Sequence, residues 1–332
     1  MKRTRGSKNR HLQFIALILI IVFLLSAVLV FASVWEKFNG QSDFSGGDST
    51  TDAFTYNGEE YVLKSGIETV LILGLDKFEG EIDSTAYNND KQSDFMMLLV
   101  IDNNNKKFTA VHINRDTMVD MNVLGLSGNK VGTVNKQIAL AHTYGNGREV
   151  SCRNASDAVS NLLLGIKVDH YISVPMDAVP VFNDLVGGVE VEVLDDFTGI
   201  DDTLIKGETV TLTGEQALKY VRSRYGMEDS SNESRMVRQR QYIEALYKKT
   251  VEKAKADDKF VVDSSLEMSD YIVSNYTVTR LQELFNKISD YRFTEIRYLD
   301  GEHVVGEEFM EFTADEESIK KMVSELFYSL KD

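Results

Sequence analysis

Apolar and polar positions along this chain fall into short runs that separate strands from helices. Residues 69–75, 95–101 and 108–113 are runs of β-branched and large apolar side chains, the length of buried strands. Residues 171–174, 189–193 and 293–299 add three further strands. Helix-like patterning predicts helices over 135–144, 155–164, 176–185, 233–255, 277–288 and 316–328. Pro180 is tolerated in the third of these only near the first turn. Tyr56-Asn57-Gly58-Glu59 is a hairpin turn between short strands. The alternation predicts an α/β (α+β) fold: a central, mostly mixed β-sheet flanked by helices on both faces. The order of the strands does not follow from the pattern.

One apolar run has a different length. Residues 12–34 carry no charge and only Gln13, Ser26 and Ser33 as polar members, enough to cross a bilayer at about 20 residues per helix. Lys2, Arg3, Arg5, Lys8 and Arg10 precede it, which places the N-terminus in the cytoplasm. The expectation is a single-pass, type II signal anchor in the cell membrane. A cytoplasmic basic tail covers 1–11, a transmembrane helix 12–34, a Gly/Ser/Asp-rich stalk 35–55 and an extracellular domain 56–332. Signal-peptide cleavage is the alternative, against which the length of the run argues.

Charge narrows the class further. The formal net charge is −16, and five basic residues with no acid in 1–11 leave −21 on the remainder. So acidic a body argues against nucleic acid as a partner. The single cysteine, Cys152, allows no internal disulfide, which suits an exported protein of a Gram-positive-like surface. Cys152 itself reads as a small residue near the start of a helix.

Against this acidic background, residues 213–241 hold five arginines. Thr213-Gly214-Glu215-Gln216 is a capping box for a short helix that ends near Val221. Beyond that end Arg222 and Arg224 share a face, as extended residues two apart do. Ser230, Ser231 and Asn232 can cap a second helix, on which Arg235, Arg238 and Gln239 share a stripe. Forked donors from two directions suit a multiply charged ligand such as a pyrophosphate; ion pairing with local acids is the other reading.

Asp76 ends one predicted strand and Asp94 opens the next, so an antiparallel pair would put both at one sheet edge. Such oxygen ligands, completed by phosphate and water, suit Mg²⁺; capping of turns is the plainer role. Arg115-Asp116 follows a third strand and can reach across the same edge, with Asp116 orienting the arginine. The five histidines form no readable cluster, and neither a Walker-type loop nor a G-x-S-x-G elbow occurs.

Taken in order, VLILGLD, QSDFMMLLVID, HINRDTMVDM, VDHYISVPMDAVPVFNDLVGGVEVEV, LTGEQALKYVRSRYG and ESRMVRQRQ resemble the LytR-CpsA-Psr family of cell-wall glycopolymer transferases, over roughly 68–249. The resemblance implies a phosphotransferase. It would move an anionic glycopolymer, teichoic-acid-like or capsular, from a polyprenyl-pyrophosphate carrier to peptidoglycan through a phosphodiester bond. It also implies Mg²⁺ at Asp76 and Asp94, and pyrophosphate binding by Arg115, Arg222, Arg224, Arg235, Arg238 and Gln239. Asp76, Asp94, Arg115, Arg222 and Arg224 form the implied catalytic set.

Three positions depart from the family pattern. Gln92 stands where the family usually has arginine, Asn114 where it has proline, and Asn232 where it often has aspartate. The first removes one pyrophosphate donor, whose charge but not fork Lys91 or Lys77 can replace. A polyprenyl tail needs an apolar trough, for which 162–168 and 172–186 are apolar enough, plain core being the alternative. Two other functions use the same residues: a non-catalytic receptor for polyprenyl-pyrophosphate-linked ligands, and a hydrolase that cuts the pyrophosphate with water. A DNA-binding regulator is disfavoured, because eleven residues before the span leave no room for a helix-turn-helix.

Overall fold

The computed structural model describes residues 53–331, apart from 79, 81–85, 225, 228, 230, 258, 277–279, 281–282, 285–290 and 307–308. The basic tail expected over 1–11, the transmembrane helix expected over 12–34 and most of the stalk expected over 35–55 lie outside the described residues. So does most of the helix expected over 277–288. Two compact units divide the chain: one runs to residue 174 and takes in 273–275 and everything from 293, and the other holds 175–272 and 276–292.

In chain order come β1 (Ala53–Tyr56), β2 (Glu59–Leu63), β3 (Ile67–Lys77), β4 (Lys91–Asp102), β5 (Lys107–Ile113), β6 (Met118–Leu124) and β7 (Lys130–Gln137). A 3-10 helix (Ile138–Thr143), α1 (Glu149–Leu162), β8 (His170–Pro175), α2 (Ala178–Leu185), β9 (Val189–Glu192) and β10 (Thr209–Leu212) follow. Then come α3 (Gly214–Arg222), α4 (Asn232–Ala256), α5 (Phe260–Met268), β11 (Val273–Ser274), β12 (Arg292–Arg297) and β13 (Gly301–Val305). The last elements are β14 (Met310–Ala314), α6 (Glu316–Phe327) and β15 (Tyr328–Leu330).

In the first unit β3, β4 and β5 are consecutive antiparallel strands within a six-stranded sheet ordered β11-β8-β3-β4-β5-β12. Alternation sends Leu71 and Leu73, Met96 and Leu98, and Val111 to one face. There they join Ala155, Val159 and Leu162 of α1 and Met322, Val323 and Phe327 of α6 in one apolar core. Full burial of each such large side chain contributes about 1.5–3 kcal/mol, so this layer is what makes the sheet a rigid platform. Leu163 and Ile166, candidates for a trough wall, belong to the same core.

The β1–β2 turn has φ of 53° at Asn57 and 80° at Gly58, the left-handed pair that a two-residue hairpin loop needs. Pairing begins at Ala53 opposite Val62, so strand replaces the last residues expected in the stalk. β15 pairs with the other edge of β2, Tyr328 opposite Leu63.

The helix expected over 135–144 is replaced by a strand as far as Gln137 and then the 3-10 segment. Lys130–Gln137 pairs along its length with β6, Gln137 opposite Met118, and cross-strand pairing overrides the weak helical pattern there. The helix expected over 155–164 begins earlier, at Glu149, and is stopped by left-handed backbone at Leu164 and Gly165.

In the second unit α2 packs on α3, α3 on α4, and β9 pairs antiparallel with β10. Gly214 opens α3 where it meets α2: a Cβ there would lie 2.8 Å from Pro180 O and 2.9 Å from Pro180 Cα, so the crossing needs glycine. Asn183 of α2 donates to Leu212 O at 2.8 Å and accepts from the Tyr242 hydroxyl at 3.4 Å. The whole is a mixed α+β architecture with a central mixed sheet, as the alternation of segments predicts.

Candidate functional site

Asp94 reaches the sheet edge through an irregularity of pairing. Gly74 pairs with Phe95 and Leu75 with Ser93, so Asp94 is an extra residue in β4. In regular pairing it would oppose Leu75, whose side chain lies in the apolar core; the bulge re-aims it. Its carboxylate instead stands 2.5 Å from Arg115 Nη1, 21 positions along the chain. Asp76 pairs with Gln92 at the next register step, and Gln92 Oε1 accepts from Arg115 Nη2 at 3.0 Å. Asp116 Oδ1 lies 3.4 Å from Arg115 Nε, and Asn114 Oδ1 accepts from the Asp116 N–H at 3.0 Å, closing an Asx turn. Arg115 and Asp94 are both buried, whereas Asp76 is half-buried and accepts from the Lys77 N–H at 2.8 Å. The antiparallel edge expected for Asp76, Asp94 and Arg115 is therefore present. Gln92, a lost donor by sequence, is here a partner of Arg115.

The start of β4 is pinned from below by residues that sequence spacing did not single out. Asn89 Nδ2 donates to His142 O and Thr143 O, each at 2.9 Å, and Asn89 Oδ1 accepts from the Lys91 N–H at 2.9 Å. His142 Nδ1 lies 2.9 Å from Lys91 O and so carries the proton, while Nε2 faces Cys152 Sγ at 3.7 Å. Burial pulls His142 down to about 4 and pushes the Cys152 thiol up to about 12, so both are neutral. Cys152, as expected, is a small buried residue in the first turn of a helix.

The second cluster is built on α3 and α4. The predicted capping box is present: Thr213 Oγ1 accepts from the Gln216 N–H at 3.4 Å and Gln216 Oε1 from the Thr213 N–H at 2.9 Å. The helix runs one residue past the expected end, to Arg222, and Ser223 is extended at φ −60°, ψ 136°. Arg222 is exposed and Arg224 half-buried. Ser231 caps α4, accepting from the Ser234 N–H at 3.2 Å. Arg235 donates to Asn232 Oδ1 from Nε at 3.1 Å and from Nη2 at 2.5 Å.

Arg238, 1% exposed, donates Nε–H to Tyr220 O at 2.9 Å and Nη2–H to Ser223 O. Its Nη1 donates to Asp195 Oδ2 and, at 3.2 Å, to Ser234 Oγ, and the guanidinium carbon lies 5.5 Å from the Phe197 ring centre. Gln239 Nε2 donates to Val221 O at 3.1 Å; its buried Oε1 has no hydrogen-bond partner among the described residues. The stripe of Arg235, Arg238 and Gln239 thus forms as predicted, but two of its members address the end of α3. Asp195 and the α3 carbonyls carried no signal in the sequence.

A profile of the LytR_cpsA_psr family matches residues 34–327. The chain belongs to the LytR_cpsA_psr family. The match extends on both sides of the motif-bearing stretch over 68–249. A relative from Enterococcus faecalis, polyisoprenyl-teichoic acid–peptidoglycan teichoic acid transferase TagU, is 30% identical over 236 residues, 70% of this chain and 62% of that protein. Biofilm regulatory protein A of Streptococcus mutans is 27% identical over 243 residues, 71% of this chain and 56% of that protein. The chain thus matches about three fifths of the length of these relatives. Among solved structures, TagT bound to LIIa-WTA has a TM-score of 0.56 at 23% identity, covering 79% of this chain and 90% of that one, a likeness of fold.

The Mg²⁺ that the LytR_cpsA_psr resemblance implies can be weighed against the residues present. Among the described residues no group of three or more His, Cys, Asp or Glu could hold a metal ion. Asp76 and Asp94 are hard oxygen donors, few in number. That set fits an ion that fills most of its octahedral shell with water and ligand phosphate, as Mg²⁺ does.

Proposed function

We propose that this chain transfers an anionic glycopolymer from a polyprenyl-pyrophosphate carrier to peptidoglycan, forming a phosphodiester. The observation that carries this reading is the sheet-edge cluster, where Asp94 and Arg115 meet at 2.5 Å beside the Asp76–Gln92 pair. Relatives named as teichoic acid transferases support the substrate class. Asp76 and Asp94 are the residues that would hold Mg²⁺, which when bound would offset pyrophosphate charge. Arg115, Arg222, Arg224 and Arg235 are assigned to the pyrophosphate. In the reaction an acceptor sugar hydroxyl oxygen bonds to the phosphorus that bears the polymer, the bond from that phosphorus to polyprenyl phosphate breaks, and the hydroxyl proton is released to solvent. Arg222 and Arg224 offer forked donors to the charge that grows on the leaving phosphate. Residues 12–34, spanning the membrane with the body outside, would keep the enzyme beside its lipid carrier.

The test uses the full chain in detergent, a synthetic lipid-pyrophosphate-linked polymer and peptidoglycan fragments. The expected product carries the polymer phosphate esterified to a peptidoglycan sugar. Binding without turnover on any acceptor makes the chain a receptor, and release of free polymer phosphate alone makes it a hydrolase. Mg²⁺ should bind more tightly with pyrophosphate present, and equal affinity in wild type, Asp76→Ala and Asp94→Ala would remove the metal assignment. Protease added to intact wall-less cells should digest the body; protection would reverse the orientation.

A further inference from the structure

Every helix ends in carbonyls that lack an intrahelical partner, and at α3 the side chains of α4 supply them. Arg238 takes Tyr220 O and Ser223 O, and Gln239 takes Val221 O. The same guanidinium is tied to Asp195 and Ser234 and sits over Phe197. Four of the five N–H groups of an arginine are thereby engaged within the protein, on a side chain that is 1% exposed. A phosphate oxygen is left only the fifth, on a guanidinium closed off from the surface.

We propose that Arg238 is a positioning residue: it fixes the backbone of 220–223 and through it the aim of Arg222 and Arg224, without touching the phosphate. Gln239 acts alongside it. One of its two amide N–H groups goes to Val221 O, which ties the same stretch of backbone. This departs from the direct pyrophosphate contact that the family resemblance implies for Arg238. It rests on the reading of Arg222 and Arg224 as phosphate ligands.

Lysine at 238 keeps the charge and can still meet Asp195, but its single nitrogen cannot span two separate carbonyls as well. The experiment uses the full chain in detergent, with R238K and R238Q, and inorganic pyrophosphate as the probe. Trypsin cuts after arginine, so a loosened α3 end should be cleaved after Arg222 and Arg224 about tenfold faster in R238Q under native conditions, with R238K in between. An unchanged cleavage rate overturns the proposal. The second readout is a double-mutant cycle: R238K should lose about tenfold in pyrophosphate affinity in the wild-type background and less than about twofold in R222A/R224A. Equal losses in both backgrounds mean direct contact and also overturn it. If R238Q does not fold, R238K carries both readouts. A wild type that binds no pyrophosphate defeats the phosphate reading of Arg222 and Arg224, while the trypsin result still decides the role of Arg238.

Discussion

The sheet edge and the end of α3 both present arginines, but they hold them in different ways. At the edge, Arg115 faces Asp94 at 2.5 Å and Asp116 at 3.4 Å, with Gln92 as its neutral partner. On α4, Arg235 gives its N–H groups to the Asn232 amide, and Arg238 gives most of its own to two carbonyls and a serine, with Asp195 as its carboxylate. A guanidinium set on carboxylates has its charge answered before a ligand arrives. One shared among backbone carbonyls, a serine and a carboxylate is fixed in place as well as answered. Arg238 is therefore a fixture of the fold. The edge cluster is suited to exchange, with a phosphate competing against Asp94 for Arg115.

The sharpest way to break this contrast is kinetic. Arg222→Lys and Arg224→Lys should each lower transfer turnover by ~10²–10³, with a smaller loss of carrier affinity. A rise in the Michaelis constant alone would make the helical cluster a holding device and nothing more. The next effect is on stability. Asp94→Ala leaves Arg115 buried with one carboxylate fewer and should cost about 3 kcal/mol in urea unfolding. Asn232→Ala, which takes a neutral partner from Arg235, should cost only about 1–2 kcal/mol. The reverse ranking would overturn the comparison.

Acid should separate the two clusters as well. Folded His142 stays neutral down to about 4, against 6.5 for its ordinary value. Between those values the unfolded chain binds a proton that the folded chain does not, so stability falls as pH drops from 6.5 towards 4. The loss is about 3 kcal/mol, and a His142→Gln variant should not show that slope. Because His142 holds Lys91 O, hydrogen exchange in β4 should accelerate before exchange in α3 does. The smallest effect concerns the start of α3, where Thr213→Ala should lower stability by about 1 kcal/mol in thermal unfolding.

What could be read in advance followed from how locally each feature is encoded. The three central strands were legible because a sheet strand buried along its length requires a continuous apolar run, and Leu71, Met96 and Val111 lie inside those runs. β13 was not, since all five of its residues are exposed and leave no alternation to read. The capping box and the stripe on α4 are spacing patterns, so they were visible. The bulge at Asp94 belongs to the register between two strands, and no single segment records it. Nor does any sequence pattern announce the acceptors of Arg238, because a backbone carbonyl is common to every residue.

The pairing of β15 with β2 also has a consequence in time. Lys331 Nζ meets Glu60 at 2.6 Å across 271 positions, beside a strand pair that joins the two ends of the described chain. Contacts of such span form slowly, because a long loop must be closed first. The β1–β2 hairpin can form as soon as it is made, yet one edge of β2 then waits, open to any passing strand, while the rest of the chain is synthesised. β15 serves as a clock as well as a staple. Synthesis as far as β15, and no earlier local event, is what closes that edge.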